Sequence, residues 1–368
     1  MSAHIAIIGS GQLARMMAQD GIPMGLRFSF VAEAKEDTVC VDALGPVITL
    51  EPGMSAEALY DALGKPDVIT VEKEHVDIAL LRSLQAFCPV HPNPEALEKF
   101  KNRRVEKEFL QSQNIPIAPF KTVRTETDLH SAVAELAKPV FLKTEEEGYD
   151  GYNQYKITDD NQSEVMASIE YPGEWVAEAG IPFEREVSFI AARSVDGDIV
   201  YYPSAENYHD QGTLLTSIVP AEGISDAMVK TGQGYLQTML THLDYVGVMC
   251  VECFVWGDKL LVNEIAPRVH NSGHWTSKGA LTSQFENHVR AVGGLALGST
   301  HTSGISGMLN LLGVVLTAEQ AADSTTFLTL YGKSVRPRRK LGHVTINAGS
   351  YDEVKDRLER LRGLAYDQ

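Results

Sequence analysis

Two glutamates in the C-terminal half of the chain have the spacing of a metal site. Glu252 and Glu264 lie in two apolar runs separated by Gly257-Asp258, and a tight Gly-Asp turn between such runs predicts a β-hairpin. A three-residue loop at 257–259 would place the glutamates opposite each other, with their Cβ atoms roughly 5 Å apart. Two facing carboxylates repel unless a cation lies between them, and Mg²⁺ prefers oxygen ligands. We therefore expect Glu252 and Glu264 to bind magnesium.

The geometry of this hairpin leaves alternatives open. A two-residue loop would pair Glu252 with Asn263 and turn Glu264 to the other face of the sheet, and both glutamates could also simply reach solvent. If the glutamates do share a face, Asn263 adds a neutral oxygen ligand beside them. Polar and aromatic side chains are unusually dense in the loop that follows, at Arg268, His270, Asn271, Ser272, His274 and Trp275. This density favours the chemical interpretation.

A lysine inside an apolar strand suggests a phosphate site. Lys143 is the lone charge in the run 139–144, where it must either extend to solvent or meet an anion. The turn-rich segment 145–154 leads to a second run at 155–157, so we expect another hairpin. A flexible loop over a strand lysine is typical of a lid that covers nucleotide phosphates. The non-helical linker at 179–183 offers backbone groups to an adenine.

The N-terminal region carries a glycine-rich turn between a strand and a helix. Strand His4–Ile8 leads into Gly9-Ser-Gly-Gln-Leu-Ala14, and Glu33 ends the next strand, which together form the dinucleotide fingerprint. An NAD-dependent oxidoreductase is therefore one hypothesis, although such turns also bind other phosphates or serve close packing. A charged cluster at 72–77 follows strand Val68–Val71, at the sheet edge where open α/β proteins bind ligands.

Two further segments carry clusters of lysine and arginine, the first alternating with glutamates. An Asn-Pro start predicts a single helix over 94–113, and its alternating charges are typical of a solvated face. A second cluster includes Lys333, Arg336 and Arg339. It is a candidate monophosphate site, with a solvated charge run as the alternative.

Composition limits the class of protein. The 368 residues predict two or three domains, and the net charge of −17 argues against a nucleic-acid surface, which needs a basic footprint. No apolar run approaches the ~20 residues of a membrane span, and no secretory signal is recognisable, so we expect a cytoplasmic protein without membrane contact. The cysteines fit reduced thiols. Cys250 and Cys253 form a C-x-x-C pair with no second pair to complete a zinc site, which favours a structural role.

Motifs along nearly the whole chain resemble one known family. They lie at 9–16, 70–77, 148–151, 183–188, 206–209, 263–268, 270–275 and 331–333. Together they resemble the ATP-grasp superfamily, and within it the family of 5-(carboxyamino)imidazole ribonucleotide synthases. The Asn-Ser-Gly-His-Trp run after a metal-binding strand is the most specific of these motifs, and it outweighs the generic dinucleotide fingerprint.

This resemblance implies a fold and an activity. The fold is α/β and α+β: an ATP-grasp fold with a Rossmann-like parallel-sheet domain at 1–93, a small lid domain at 94–180, and a mostly antiparallel domain at 181–368 that holds the metal site. The implied reaction is the ATP- and bicarbonate-dependent carboxylation of 5-aminoimidazole ribonucleotide through carboxyphosphate, in purine biosynthesis. ATP and Mg²⁺ are the implied cofactors, and a homodimer is expected because the family is often dimeric.

The resemblance also implies roles for individual residues. Magnesium would be bound by Glu252 and Glu264. ATP would be held by Arg103, Lys143, Glu178, Ile181, Glu186, His209 and Asn263. Bicarbonate would attack the γ-phosphate beside Arg268, His270 and Asn271. The ribonucleotide would be held by Tyr149, Asp150, Lys333, Arg336 and Arg339.

The segment after Lys143 departs from the family pattern. Family members usually carry a glycine-rich, basic lid that resembles Arg-x-Gly-Gly-Tyr-Asp-Gly-Lys-Gly-Gln, whereas here three glutamates at 145–147 precede Gly148, and residues 152–153 replace the later Lys-Gly pair. Because glutamates beside ATP phosphates would repel them, a diverged ATP-grasp carboxylate-amine ligase with another acceptor is the alternative function. We expect the glutamates to point outward to solvent, so that only 148–151 approach the substrates.

Overall fold

The N-terminal part of the chain forms a parallel sheet. The computed structural model describes residues 3–146, 154–321 and 324–367. The N-terminal strands pair in parallel in the order β3–β2–β1–β4. Their bounds are β1 His4–Ile8, β2 Arg27–Glu33, β3 Val47–Leu50 and β4 Val68–Val71, with helices α1 Gln12–Gly21, α2 Ala56–Ala62 and α3 Ile78–Leu84. Helices cover both faces, which is why β1 and β4 are buried along their whole length.

The predicted single helix over 94–113 is wrong, because the chain forms two helices there. Helix α4 spans Pro94–Lys101 and α5 spans Arg103–Ser112. Asn102 between them is extended (φ −114°, ψ 120°), and its side-chain oxygen accepts hydrogen bonds from the backbone N–H of Arg104 and Val105, at 3.1 Å each. This cap starts α5 afresh and puts Arg103 at its first position.

An antiparallel sheet follows in the middle of the chain. Its strands pair in the order β5–β8–β6–β7. Their bounds are β5 Phe120–Val123, β6 Val140–Thr144, β7 Gln154–Ile157 and β8 Trp175–Ala179, with helices α6 Glu126–Glu135 and α7 Gln162–Ser168. Lys143 of β6 pairs with Gln154 of β7, so the second predicted hairpin is confirmed.

The C-terminal half is built on a larger antiparallel sheet. Its strands pair in the order β14–β13–β9–β11–β12–β15–β17–β16, and β10 pairs with β9. The strands are β9 Arg185–Arg193, β10 Ile199–Tyr201, β11 Ala205–Asp210, β12 Thr213–Val219, β13 Gly247–Trp256, β14 Lys259–Ala266, β15 Ile305–Leu312, β16 Thr326–Leu330 and β17 Lys340–Ala348. The helices are α8 Asp226–His242, α9 Thr276–Gly279, α10 Gln284–Val292 and α11 Tyr351–Tyr366. The predicted combination of a parallel N-terminal sheet with an antiparallel C-terminal part is confirmed.

One hydrophobic core joins the N-terminal sheet to the C-terminal sheet. Ile7 of β1 and Met17 of α1 belong to the same buried cluster as Trp275, Phe285 and Tyr331. This packing fixes α1 and the sheet face that it covers against the C-terminal half. No helix within the described ranges is long and apolar enough to cross a membrane.

Candidate active site

The hairpin of β13 and β14 brings the two predicted metal ligands together by an unexpected route. Trp256 pairs with Lys259, so the turn has two residues and the predicted three-residue loop is wrong. That turn alone would oppose Glu252 to Asn263. A β-bulge on β14 shifts the register by one residue, and Glu252 therefore pairs with Glu264 as predicted.

The bulge also explains how two successive side chains of β14 face the same way. Asn263 and Glu264 both line a cleft, whereas their neighbours Val262 and Ile265 both pack into the core behind the sheet. A regular strand would alternate its side chains and bury one of the two polar residues. With Glu252 on the adjacent strand, the bulge gives this part of the cleft three oxygen-bearing side chains.

The cleft lies between the middle sheet and the C-terminal sheet. Its volume is about 420 Å³, within the range of small-molecule sites. It brings together the residues predicted to bind ATP and metal, namely Arg103, Lys143, Glu178, Ile181, Glu186, His209, Glu252, Asn263 and Glu264. Its two ends differ in chemistry, since one is apolar and the other is charged.

The apolar end is formed around the linker that follows β8. Ile181 and Phe183 line it, and the ring of Phe183 stacks on that of Phe254 with centroids 4.4 Å apart. The backbone N–H of Gly180 donates to the carbonyl of Pro139 at 2.7 Å, which fixes the linker against the start of β6. Flat apolar walls beside exposed backbone suit a heteroaromatic base.

The charged end holds a buried carboxylate between lysines. Glu178 Oε2 lies 3.1 Å from Lys143 Nζ and 3.3 Å from Lys107 Nζ. Burial alone would raise the pKa of Glu178, but Lys107, Lys143 and Arg103 outweigh it and lower that pKa to about 2. Burial lowers the pKa of Lys143, against the opposing effect of Glu178. Lys143 is thus a largely desolvated cation that faces the cleft, where it can meet phosphate oxygens.

Lys107 is a functional candidate that sequence reasoning missed. The prediction of a solvated helix face is wrong for this residue, which is 1% exposed and lies over the ring of Phe120. The signal was present in the spacing, because Arg103 and Lys107 are four residues apart and share one face of α5.

A second charged cluster lies on adjacent strands of the C-terminal sheet, with Glu186 on β9, His209 on β11 and Glu252 on β13. His209 Nδ1 is 3.1 Å from Glu186 Oε2, and His209 Nε2 is 3.9 Å from Glu252 Oε2. Burial lowers the pKa of His209, but its close contact with Glu186 and the nearby Glu252 raise that pKa on balance. Glu186, His209 and Glu252 offer ligand atoms that all lie within 4.8 Å of one another.

Burial and like charges outweigh the cations that lie near the paired glutamates. Burial, together with Glu264 and Glu186, raises the pKa of Glu252 to about 7, although His209 opposes the shift. Burial and the charge of Glu74 raise the pKa of Glu264. Glu252 Oε1 is buried and makes no hydrogen bond within the described part of the chain. These oxygens have the properties of cation ligands.

The loop after β14 borders the carboxylate pair. Arg268 Nη2 lies 2.6 Å from Glu74 Oε1, and His270 Nδ1 lies 3.8 Å from Glu252 Oε1. Burial and the charge of Arg268 hold the pKa of His270 well below its usual value, so the imidazole is neutral. The side-chain amide of Asn271 is buried and makes no hydrogen bond to the described residues. The three predicted catalytic residues therefore lie together, with polar atoms left for a ligand.

Glu145 does not have the orientation predicted for it. The expectation that it faces solvent is wrong, since it is 4% exposed and forms ion pairs with Arg124 and Arg104. These two ion pairs compensate its charge. Glu146 is exposed, as expected, and Glu147 lies outside the described residues.

The predicted ribonucleotide residues are only partly brought together. Lys333 Nζ donates to the side-chain oxygen of Gln12, and Arg339 Nη2 lies 2.8 Å from Asp37 Oδ2, so both cations face the N-terminal sheet. Arg336 is exposed. Tyr149 and Asp150 lie outside the described residues.

A buried carboxylate occupies the anion site of the glycine-rich turn. Glu72 accepts hydrogen bonds from the backbone N–H of Gly11 at 2.8 Å and of Leu13 at 3.1 Å. A Cβ atom added to Gly9 or Gly11 would lie 2.4 or 2.3 Å from a Glu72 oxygen. The glycines thus admit Glu72, and the position at which the pyrophosphate of NAD would bind is filled.

Three family profiles match consecutive parts of the chain. They are the ribonucleotide synthetase preATP-grasp domain at residues 2–100, the ATP-grasp domain at 108–285, and the phosphoribosylaminoimidazole carboxylase C-terminal domain at 306–357. These matches confirm the predicted ATP-grasp fold.

Whole proteins of one family match over almost their entire length. The N5-carboxyaminoimidazole ribonucleotide synthase of Pseudomonas aeruginosa is 38% identical over 363 residues, covering 98% of this chain and 99% of the relative. The crystal structure of the Thermus thermophilus synthetase superposes with a TM-score of 0.91 at 38% identity, covering 99% of each chain. The Aspergillus clavatus enzyme, in complex with ADP and 5-aminoimidazole ribonucleotide, superposes with a TM-score of 0.87 at 26% identity, covering 98% and 97%.

Proposed function

The chain belongs to the N5-carboxyaminoimidazole ribonucleotide synthase family, and from this premise we propose that it carboxylates 5-aminoimidazole ribonucleotide with ATP and bicarbonate in purine biosynthesis. The observation that carries the proposal is the cleft with one apolar and one charged end. The charged end sets cations, paired glutamates and a polar loop side by side. That arrangement suits transfer of a phosphoryl group to a small oxyanion.

ATP fits the cleft in one direction. The adenine would lie against Phe183 and the backbone of 179–181, and Glu186 with His209 would bind the ribose hydroxyls. Arg103 and Lys143 would then meet the phosphates at the charged end. A bound phosphate would give Lys143 a second anionic partner besides Glu178. Two anionic partners favour the protonated form of the lysine.

Three oxygen-bearing side chains of the cleft would hold Mg²⁺ beside the phosphates. Glu252 and Glu264 offer two carboxylates with raised pKa values, and Asn263 adds a neutral oxygen. The unpartnered Oε1 of Glu252 supports this assignment, because a buried carboxylate oxygen needs a donor or a cation. When bound, Mg²⁺ would neutralise charge on the transferring phosphoryl group.

The loop residues orient the first step of the reaction. A bicarbonate oxygen attacks the γ-phosphorus, the bond from that phosphorus to the bridging β–γ oxygen breaks, and ADP and carboxyphosphate form. Arg268 would pair with the bicarbonate charge, and the unpartnered amide of Asn271 would hydrogen-bond its oxygens. Neutral His270 accepts from the backbone N–H of Ser272 at Nδ1 (3.3 Å), so its proton is on Nε2, where it can donate to an oxyanion.

The second step forms the carbon–nitrogen bond. The exocyclic amine of the ribonucleotide attacks the carboxyl carbon of carboxyphosphate, or of the CO₂ that it releases, and inorganic phosphate leaves as the amine loses a proton. Lys333 and Arg339 face the N-terminal sheet and are suited to the ribonucleotide phosphate. Roles for Tyr149, Asp150 and Arg336 remain a prediction from the family motifs. Proximity and charge neutralisation carry both steps, and no protein nucleophile is required.

We also infer a cytoplasmic protein with three domains, and the homodimer stays a prediction from the family resemblance. Support for the compartment comes from the free, buried thiols Cys40, Cys88, Cys250 and Cys253. The sheets separate near residues 93 and 180, which supports the domain limits 1–93, 94–180 and 181–368.

ADP release tests the proposed acceptor. We expect ADP formation from Mg-ATP and bicarbonate to rise at least tenfold when 5-aminoimidazole ribonucleotide is added, with one carboxylated product per ADP. Two matched acceptors serve as controls. Glycinamide ribonucleotide lacks the imidazole, and free aminoimidazole lacks the ribose phosphate. Faster ADP release with either of them would instead identify a ligase with another acceptor.

A further inference from the structure

Glu145, at the end of β6, is held by an unusually complete set of donors. Its carboxylate lies 2.5 Å from Arg124 Nη2, 3.4 Å from Arg104 Nε and 3.1 Å from Asn102 Nδ2. The side chain of Glu145 is 3% exposed, whereas those of Arg104 and Arg124 are 31% and 36% exposed. A buried carboxylate with three donors is costly to form unless the geometry is well defined, so this contact specifies one arrangement of its segments.

Those segments are the ones that carry the phosphate-binding cations. Asn102 and Arg104 flank Arg103 at the start of α5, and Glu145 directly follows β6, two residues after Lys143. The backbone adds two direct links: Arg103 N donates to the Glu145 carbonyl at 2.7 Å, and Arg103 Nε donates to the Thr144 carbonyl at 3.3 Å. The start of α5 is thereby fixed to the end of β6.

We propose that Glu145 is a positioning residue that sets Arg103 relative to Lys143 for binding the ATP phosphates. Glu145 touches no substrate and acts through the start of α5. Its negative charge does not repel the phosphates, because Arg104 and Arg124 compensate it. The glutamate that departs from the family's basic pattern is thus part of the nucleotide site's framework. The inference rests on the proposed ATP site.

Glu145→Gln tests the proposal, because it keeps the shape of the side chain and removes its charge. We expect the dissociation constant of Mg-ADP, measured by isothermal titration calorimetry, to rise about tenfold, the effect of one charge-assisted hydrogen bond. The KM for ATP should rise by a similar factor, while the KM for 5-aminoimidazole ribonucleotide stays within twofold. Glu146→Gln, on the exposed neighbour, is the matched control and should change neither constant.

Arg124→Gln is the second variant, since it removes a half-exposed partner and leaves the buried side of the contact in place. We expect it to weaken Mg-ADP binding about threefold, with no further loss when it is combined with Glu145→Gln. Unchanged Mg-ADP binding in Glu145→Gln would overturn the proposal. Equal rises in the KM of both substrates, together with a lower melting temperature, would also overturn it, because they indicate a general structural role. Wild-type protein that fails to bind Mg-ADP at all would overturn the ATP site itself, and this inference with it.

Discussion

Glutamates of one cleft differ widely in protonation because of their neighbours. Glu178 lies between two lysines, and their charges outweigh burial and lower its pKa to about 2. Glu252 lies beside Glu264 and Glu186, and burial with these like charges raises its pKa to about 7. The first glutamate is a permanent partner for cations of the protein. For the second, the nearby His209 does not outweigh burial and the like charges, so a bound cation would favour its charged form.

This difference predicts what happens when the metal carboxylates are neutralised. Glu252→Gln and Glu264→Gln should each lower kcat at least about 100-fold, because each removes charge aimed at the transferring phosphoryl group. The control Asp258→Asn lies in the exposed turn of the same hairpin and should retain full activity. Steady-state kinetics at saturating ATP measure the effect, and near-wild-type kcat in either glutamine variant would contradict the metal assignment.

The substitution Glu252→Gln should stabilise the metal-free protein at alkaline pH. The folded pKa of Glu252, about 7, lies above the unfolded value of about 4.3, so the carboxylate opposes folding increasingly as pH rises through this window. In EDTA, Glu252→Gln should therefore melt at a higher temperature than wild type at pH 8, and at the same temperature below about pH 4.3. A lower melting temperature at pH 8 would mean that Glu252 has a compensating partner in the folded protein.

At the scale of secondary structure, two irregularities position the site. The bulge in β14 turns both Asn263 and Glu264 into the cleft, and the break at Asn102 places Arg103 at a helix start. Each interrupts an otherwise regular pattern. Each lies next to residues proposed to contact ATP or metal, where bulges and caps commonly aim side chains.

The break at Asn102 allows a matched comparison of two helix caps. Asn102→Ala removes the cap of α5 and should cost about 1 kcal/mol of stability, and it should also raise the KM for ATP several-fold because Arg103 loses its anchor. The side chain of Asn93 caps α4 in the same way, by accepting a hydrogen bond from Ala96 N. Asn93→Ala should therefore cost similar stability without changing the KM for ATP. Equal KM values in the two variants would mean that the break has no role in positioning Arg103.

Local sequence patterns predicted some of these features and missed others for physical reasons. A lone lysine in an apolar run identified Lys143, because burying a charge there requires an anion. The facing glutamates were predicted correctly but from the wrong turn, since strict alternation has no place for a bulge. The consecutive polar pair Asn263-Glu264 between apolar neighbours was the available signal. The orientation of Glu145 could not be predicted, because its partner Arg124 comes from another strand's end.

At the scale of the whole molecule, three sheets bring the proposed nucleotide site and the proposed ribonucleotide site together. The cleft between the middle and C-terminal sheets holds the residues proposed to bind ATP and metal. The shared hydrophobic core sets the N-terminal sheet, with Gln12 and Glu72, against Lys333 of the C-terminal half. Arg268 connects the two regions through its ion pair with Glu74. The loop proposed to orient bicarbonate therefore lies between the proposed nucleotide site and the proposed ribonucleotide site, where a carboxyphosphate would pass from one to the other.

The most direct test of the proposed mechanism follows the oxygen atoms of bicarbonate. If a bicarbonate oxygen attacks the γ-phosphorus, ¹⁸O-labelled bicarbonate must transfer one ¹⁸O atom to each inorganic phosphate formed with ATP and 5-aminoimidazole ribonucleotide. The isotope shift in the ³¹P NMR signal of phosphate measures this transfer, under conditions quick enough to limit exchange of bicarbonate with water. The carboxyphosphate mechanism predicts that the labelled fraction of phosphate matches that of bicarbonate. Phosphate labelled only from ¹⁸O-labelled water would show that water attacks ATP, and would contradict this mechanism.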